Sequence, residues 1–151
     1  MSTYDYMLAG RWRNHENIRP VMEAMRAAGK TVYCFIENAY KDETHGEVIN
    51  TQVSDANPMM EKLETMPDWQ TNPTFREIYE KDMNAIRDAE EFVVVFPAGA
   101  SAHMELGAAF GMGKKCYAIG QPEKHETLYL MIDKIYPTLD DFVKEQLGDA
   151  A

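Results

Sequence analysis

Short apolar runs that alternate with helical patterns constrain the fold of this chain more than any other feature of its sequence. The runs have the length and composition of strands that are buried on both faces. They lie at residues 4–9, 31–36, 92–96, 115–119 and 134–136. Strands that alternate with helices form a parallel sheet with right-handed crossovers. The sequence therefore predicts one α/β domain over residues 1–151, a doubly wound, flavodoxin- or Rossmann-like parallel sheet of about five strands.

Helical patterns occupy most of the chain between these strands. Residues 18–28 repeat apolar side chains at helical spacing, and Gly29 ends that helix. Asn72 and Pro73 are a capping residue and a first-turn proline, so they predict a helix that runs to about residue 89. Residues 37–69 lack a regular pattern and are typical of a lid or binding loop. Further helices are predicted at 59–66, 101–113, 126–131 and 139–147.

Charge and composition exclude several classes of partner. The net charge of −10 disfavours a nucleic acid polymer, because binding to phosphate backbones relies on clustered Lys and Arg. No apolar stretch reaches the ~18 residues of a membrane-spanning helix, and residues 1–10 lack the pattern of a signal peptide. Cys34 and Cys116 lie in apolar runs, which is typical of buried free thiols in a reducing compartment. We therefore expect a cytoplasmic protein that binds neither nucleic acid polymers nor membranes.

Cofactors and metals are not indicated either. The four histidines show no ligand spacing, so we predict no metal site. A glycine-rich dinucleotide motif does not follow the first strand, which argues against a dehydrogenase. We expect no cofactor.

Glu105 is the only acid in a helix that is otherwise almost entirely apolar after His103. Such a helix is buried, and a buried carboxylate costs several kcal/mol unless it is paired or hydrogen-bonded. The amino end of the helix can keep this group ionised, which suits a nucleophile or an electrostatic stabiliser. The alternative is a structural role, in which Glu105 caps backbone amides or pairs with Arg11 or Arg13.

Asp82 is a second acid in an unexpected place. It lies within the apolar stripe of the helix that follows Pro73. That stripe consists of Phe75, Ile78, Tyr79, Met83 and Ile86. The spacing is compatible both with a functional carboxylate and with an aspartate at the edge of the stripe that hydrogen-bonds a loop.

Ligands of such sheets bind at the carboxyl ends of the strands, so we expect residues 9–13, 37–40 and 97–105 around one crevice. Arg11 and Arg13 flank Trp12 there; an arginine can grip a phosphate and a tryptophan can stack on a base. Ser101 suits a helix cap, and it can also help to bind a phosphate at the helix amino end. The alternative is that both arginines pair with acids such as Glu16 or Glu37.

Four short motifs follow one another in the order seen in a known family. They are residues 6–10 (YMLAG), 36–40 (IENAY), 79–84 (YEKDMN) and 104–107 (MELG), the last followed by Ala109 and Gly113-Lys114. Together they resemble the nucleoside 2-deoxyribosyltransferase family and its nucleotide N-hydrolase relatives. The resemblance runs over most of the chain, although each motif is short.

The resemblance implies an enzyme that cleaves the N-glycosidic bond of a nucleoside or a nucleoside 5′-monophosphate, by hydrolysis or base exchange. Glu105 would attack C1′ to form a glycosyl-enzyme, as in retaining glycosidases. Tyr6 would orient Glu105, and Asp82 would contact the base and share a proton with it. The expected substrate-binding residues are Gly10, Arg11, Trp12, Arg13, Asn38, Tyr79, Ser101 and His103.

The resemblance also implies a homo-oligomer, a dimer or larger, because the family usually assembles its sites near subunit contacts. Closed homo-oligomers are the common case among soluble assemblies. The apolar residues expected to form the contact are Ile18, Met22, Met25 and the cluster 129–131.

Position 99 departs from the family pattern. Transferases carry an acid six residues before the nucleophile and nucleotide hydrolases a serine, whereas this chain has Gly99. Protonation of the leaving base is therefore left to His103 or Asp82. The departure favours one alternative, a non-catalytic nucleotide-binding or sensor module of the same fold. Hydrolysis of the nicotinamide–ribose bond of NAD is a third interpretation.

Overall fold

Five parallel strands form the sheet at the centre of the computed structural model, which describes residues 2–42, 47–50, 61 and 63–148. The strands of this sheet are β1 (Tyr4–Ala9), β2 (Val32–Cys34), β5 (Ala89–Val95), β6 (Lys115–Ile119) and β7 (Lys134–Tyr136). Their order across the sheet is β2-β1-β5-β6-β7, and every neighbouring pair is parallel. The strands β3 (Ala39–Asp42) and β4 (Glu47–Asn50) form a separate antiparallel pair. The predicted α/β fold with a doubly wound sheet is confirmed.

Helices cover both faces of this sheet. Among the described residues, α-helices are formed by α1 (His15–Ala27), α2 (Pro73–Asp88), α3 (Ala100–Gly111) and α4 (Leu139–Phe142). Asn72 caps α2 as its sequence predicts, since its Oδ1 accepts from the amides of Thr74 and Phe75 at 2.8 and 3.2 Å. Gly29 follows α1 with φ +81°, a left-handed conformation that glycine adopts without strain. No described helix has the length and apolar character needed to span a membrane.

The chain changes direction within the sheet between β1 and β5. From β1 it moves outward to β2, and from β5 it continues the other way to β6 and β7. Asn14 Nδ2 ties the loops after β1 and β5 together, because it donates to the backbone oxygens of Phe96 and Pro97 at 3.3 and 3.4 Å. A crevice at such a point is the usual ligand site of an open α/β sheet.

Side chains of β1 alternate between two separate apolar cores. Tyr6 and Leu8 belong to the core on the face that α1 and α4 cover. Met7 and Ala9 belong to the core on the opposite face, beneath α2 and α3. The two helices that carry Asp82 and Glu105 therefore share one face of the sheet.

Several element boundaries differ from the sequence-based expectation. The predicted strand 31–36 is shorter, because it turns into a 3₁₀ helix at Phe35–Glu37. Residues 127–131 form a 3₁₀ helix instead of an α-helix, and the last predicted helix continues beyond α4 as a π-helix at Val143–Leu147. Most of the predicted helix 59–66 lies outside the described residues.

Two predictions, one on an oligomer contact and one on a helix cap, are wrong. Ile18, Met22 and Met25 are buried between α1 and the sheet, so they cannot form an oligomer contact. Ser101 does not cap α3, because the helix already begins at Ala100 and its first hydrogen bond runs from the His103 amide to the Gly99 carbonyl. Gly99 is the cap residue.

Candidate active site

Glu105 lies in the second turn of α3 and is half-buried. Its carboxyl group accepts no hydrogen bond and forms no ion pair with another described residue, Arg11 and Arg13 included. Burial, assisted by the nearby charge of Asp82, raises the pKa of Glu105 to about 8. In the unliganded protein the helix amino end therefore does not keep Glu105 ionised at neutral pH, contrary to the expectation from the sequence.

Asp82 is half-buried on α2 and is held by a hydrogen bond from outside its helix. The hydroxyl of Tyr33, on β2, donates to Asp82 Oδ1 at 2.8 Å. The side-chain amide of Asn38 in turn donates to the Tyr33 oxygen at 2.8 Å. Burial raises the pKa of Asp82, while the Tyr33 hydrogen bond and the charge of Lys81 oppose that shift.

The two carboxyl groups interact across the α2–α3 contact. The charge of Asp82 contributes to the raised pKa of Glu105 because two carboxylates in one desolvated site repel each other. Since Glu105 titrates at about 8, the pair retains a proton at pH 7. Such a pair offers both a carboxylate and a proton to a bound substrate.

Tyr6 does not reach this pair. Its side chain is buried in the core on the α1 and α4 face, where its ring packs edge-on against Phe142 at 5.9 Å. The alternation of β1 explains the error, since a strand residue projects to one face only and Glu105 lies on the other. The predicted role of Tyr6 in orienting Glu105 is not supported by this geometry.

Arg11 follows the carboxyl end of β1 and lies beside Gly99, the residue that caps α3. A Cβ added to Gly99 would lie 3.8 Å from Arg11 Cγ, so the arginine stem packs over this glycine. Arg11 is exposed and forms no ion pair within the described residues. Arg13 is different, because its Nη1 pairs with Glu64 at 2.9 Å. Gly10, which precedes Arg11, packs closely against Ile18, because an added Cβ would lie 2.6 Å from Ile18 Cδ1.

The aromatic candidates differ in exposure. Trp12 is only 5% exposed, and its ring lies 4.3 Å from that of His15, so the predicted stacking face for a base is covered. Tyr79 on α2 is 53% exposed, with the Arg76 guanidinium 5.4 Å from its ring centre. Ser101 is exposed in the first turn of α3.

His103 is held by hydrogen bonds at both ring nitrogens. Nδ1 lies 2.7 Å from the carbonyl oxygen of Gly99, which only accepts, so Nδ1 carries the proton. Nε2 lies 2.8 Å from the hydroxyl of Tyr129. With both nitrogens engaged, His103 is not placed to protonate a leaving base, and Asp82 is the remaining candidate.

Tyr33 is the site residue that the sequence analysis missed. Its signal was a hydroxyl in a strand whose other residues are apolar, because a buried hydroxyl needs a polar partner. Among the described residues, no three His, Cys, Asp or Glu side chains are grouped so that they could hold a metal ion.

Comparison with known proteins shows a likeness of fold rather than of sequence. No family model and no curated protein matches the sequence. A 2-deoxyribosyltransferase from the psychrotolerant bacterium Bacillus psychrosaccharolyticus matches with a TM-score of 0.57 and 15% identity, over 97% of this chain and 91% of its own. The CMP N-glycosidase BcmB from Clostridium botulinum matches with a TM-score of 0.48 and 16% identity, over 93% and 96%. The chain has the fold of a 2-deoxyribosyltransferase.

Proposed function

We propose that this protein cleaves the N-glycosidic bond of a nucleoside or a nucleoside 5′-monophosphate, by hydrolysis or base exchange, with Glu105 as the nucleophile. The observation that carries the proposal is the pair of desolvated carboxyl groups, Glu105 on α3 and Asp82 on α2. Perturbed acids of this kind concentrate at functional sites. The shared fold and the four family-like motifs support the same reaction.

The first chemical step uses the proton that the pair holds. Glu105, as a carboxylate, forms a bond to C1′ while the C1′–N bond breaks and its electron pair passes to the base nitrogen. The proton of the pair moves through Asp82 to that nitrogen, so the base leaves neutral. Asp82 thus supplies the proton in a site where Gly99 replaces the family's acid or serine.

The second step returns the site to its starting state. Water attacks C1′ while the C1′–O bond to Glu105 breaks and its electron pair returns to the carboxylate. The hydroxyl group of the water stays on the sugar, and its other proton passes to the carboxyl pair. In base exchange, a second base attacks C1′ through a ring nitrogen, and its N–H proton returns to the pair instead. Either route regenerates the pair with one proton.

A 5′-phosphate on the substrate is supported by the surroundings of Gly99. Arg11 packs over this residue and carries no partner among the described acids, so its guanidinium is available for a phosphate. The exposed Ser101 and the amide groups of the first turn of α3 add donors at the same place. We favour a nucleotide over a free nucleoside on these grounds.

The proposal extends to assembly and location. The outer side of α3 is apolar, with Met104 71% exposed, and the neighbouring Leu130 is 90% exposed. An exposed apolar surface of this kind suits contact with a second copy, because it brings few like charges of this acidic chain, with net charge −10, together. We infer a homo-oligomer through this surface. The free, buried Cys34 and Cys116 favour the cytoplasm.

The test of function is incubation with a panel of ribo- and deoxyribonucleosides and their 5′-monophosphates, followed by chromatography for free base. We expect base release from at least one member of the panel, and exchange when a second base is added. A panel without release, in which a nucleotide nevertheless binds by calorimetry, would contradict the enzymatic proposal. That outcome would favour a non-catalytic nucleotide-binding module, which Gly99 supports.

A further inference from the structure

A chain of two hydrogen bonds runs from Asn38 to Tyr33 and from Tyr33 to Asp82, and both donors lie outside the helix of Asp82. We propose that these are positioning residues that orient Asp82 and keep it ionised, so that the proton of the carboxyl pair rests on Glu105 until a substrate binds. The catalytic consequence of this inference rests on the proposed function. The position of the proton is independent of the proposed function, because it can be measured in the unliganded protein without turnover.

The direction of the two hydrogen bonds is fixed by chemistry. The side-chain amide nitrogen of Asn38 can only donate, so the oxygen of Tyr33 accepts from it at 2.8 Å. Tyr33 has a single hydroxyl proton, and it donates that proton to Asp82 Oδ1 at 2.8 Å. A donor that polarises the tyrosine hydroxyl makes the hydroxyl a better donor in turn. Both bonds therefore favour the ionised form of Asp82.

Both residues are held in place by the fold. Tyr33 is buried on β2, and the ring of Tyr4 packs edge-on against it at 5.7 Å. The backbone amide of Asn38 donates to the carbonyl of Phe35 at 3.0 Å, which closes the 3₁₀ turn after β2. A fixed donor on a rigid strand can orient a carboxylate more precisely than a surface side chain can.

Charged groups around Asp82 act in known directions. Burial raises the pKa of Asp82, while the Tyr33 hydrogen bond and the charge of Lys81, on its own helix, act to lower it. From α3, Glu105 faces Asp82, and the Asp82 charge raises the pKa of Glu105. Asp82 Oδ2 accepts no hydrogen bond within the described part of the chain. It remains able to accept an N–H of the substrate base.

Loss of the Tyr33 hydroxyl should transfer the proton. Tyr33→Phe removes the hydrogen bond that Asp82 Oδ1 accepts from the hydroxyl, so Asp82 binds a proton more readily and its charge beside Glu105 is reduced. Glu105 then ionises at lower pH. We expect its pKa to fall below about 8, by the part of the shift that the Asp82 charge contributes.

The experiment is a titration of the Glu105 and Asp82 side-chain carboxyl carbons by NMR in the unliganded protein. Tyr33→Phe should lower the titration midpoint of Glu105 and raise that of Asp82. Asn38→Ala should shift both in the same directions by less, since it leaves the tyrosine hydroxyl in place. The matched control is Tyr4→Phe, which removes a hydroxyl from the ring that packs on Tyr33 without touching the hydrogen bonds.

An unchanged Glu105 midpoint in folded Tyr33→Phe would overturn the inference. If that variant does not fold, an unchanged midpoint in Asn38→Ala would do the same. The pH profile of base release separates this inference from the proposed function. Absence of release by the wild type contradicts the function, and the titration still decides where the proton lies. If the protein releases base, and Tyr33→Phe changes neither the pH profile of release nor the titration midpoint of Glu105, the positioning role of Tyr33 and Asn38 is contradicted and the proposed function is not.

Discussion

Replacement of Glu105 by glutamine should stabilise the fold in neutral solution and have little effect in acid. Glutamine keeps the shape of a protonated carboxyl group and cannot ionise. The folded protein raises the pKa of Glu105 from its ordinary value of 4.5 to about 8. A carboxyl group shifted in this direction stabilises the fold fully below about pH 4.5, and that contribution is lost as the pH rises to about 8.

The size of the effect follows from the shift. Each unit of pH between the unfolded and folded pKa values costs about 1.4 kcal/mol of folding free energy. From pH 4.5 to pH 7 the wild type should therefore lose about 3 kcal/mol relative to Glu105→Gln. For a chain of 151 residues this corresponds to roughly 6–12 °C in Tm.

The assay is urea unfolding of both proteins at pH 4.5, 6, 7 and 8.5, values that bracket the shift from 4.5 to about 8. The stability difference should grow steadily across this series and level off above about pH 8. Glu80→Gln is the control, because Glu80 is an exposed acid on α2. A difference between wild type and Glu105→Gln that does not change with pH, or a variant less stable at pH 8.5, would refute the argument that Glu105 is desolvated.

Three further predictions concern the reaction, the substrate and the assembly. Asp82→Asn should lower base release per folded molecule by about 10²-fold or more, since it removes the proton route; a loss of stability at unchanged turnover would make Asp82 structural. Calorimetry should show a roughly tenfold preference of the wild type for a 5′-monophosphate over its nucleoside, and Arg11→Ala should remove most of that preference. Arg13→Ala should have less effect, because Arg13 pairs with Glu64. Equal wild-type affinities for nucleoside and monophosphate would contradict phosphate recognition. Light scattering at micromolar concentration should give at least a dimer that Met104→Glu weakens, and a monomeric wild type would exclude the oligomer.

The sequence predicts the fold well because the spacing of apolar residues and the residues that start or end an element can be recognised in short stretches of sequence. The apolar run at 92–96 predicts the strand β5, and the capping pair Asn72-Pro73 predicts the start of the helix α2, each without information from the rest of the chain. The boundaries that failed depend on tertiary contacts. Ser101 looks like a cap by residue type, but the loop after β5 places Gly99 at that position.

The site was only partly predictable for the same reason. Glu105 and Asp82 stand out as acids among apolar neighbours on their own helices. The hydrogen bond from Tyr33 to Asp82 joins residues 49 positions apart, and no local pattern reveals it. Tyr6 was misplaced because a motif gives a residue its position on a strand but not the face of the sheet on which its partner helix packs. Trp12 was misjudged because its sequence position does not show that the chain after β1 turns its ring inward, where it is only 5% exposed.

Base release by Glu105→Gln, measured by chromatography beside the wild type, tests the central claim most directly. The variant should keep the fold, which the urea unfolding above checks, so that a loss of rate reports the chemistry of one carboxyl group. The account predicts that wild type liberates free base from a nucleoside or its 5′-monophosphate and that Glu105→Gln liberates none above background. Release by the variant within about tenfold of the wild-type rate, which is about 1.4 kcal/mol of barrier, would contradict Glu105 as the nucleophile.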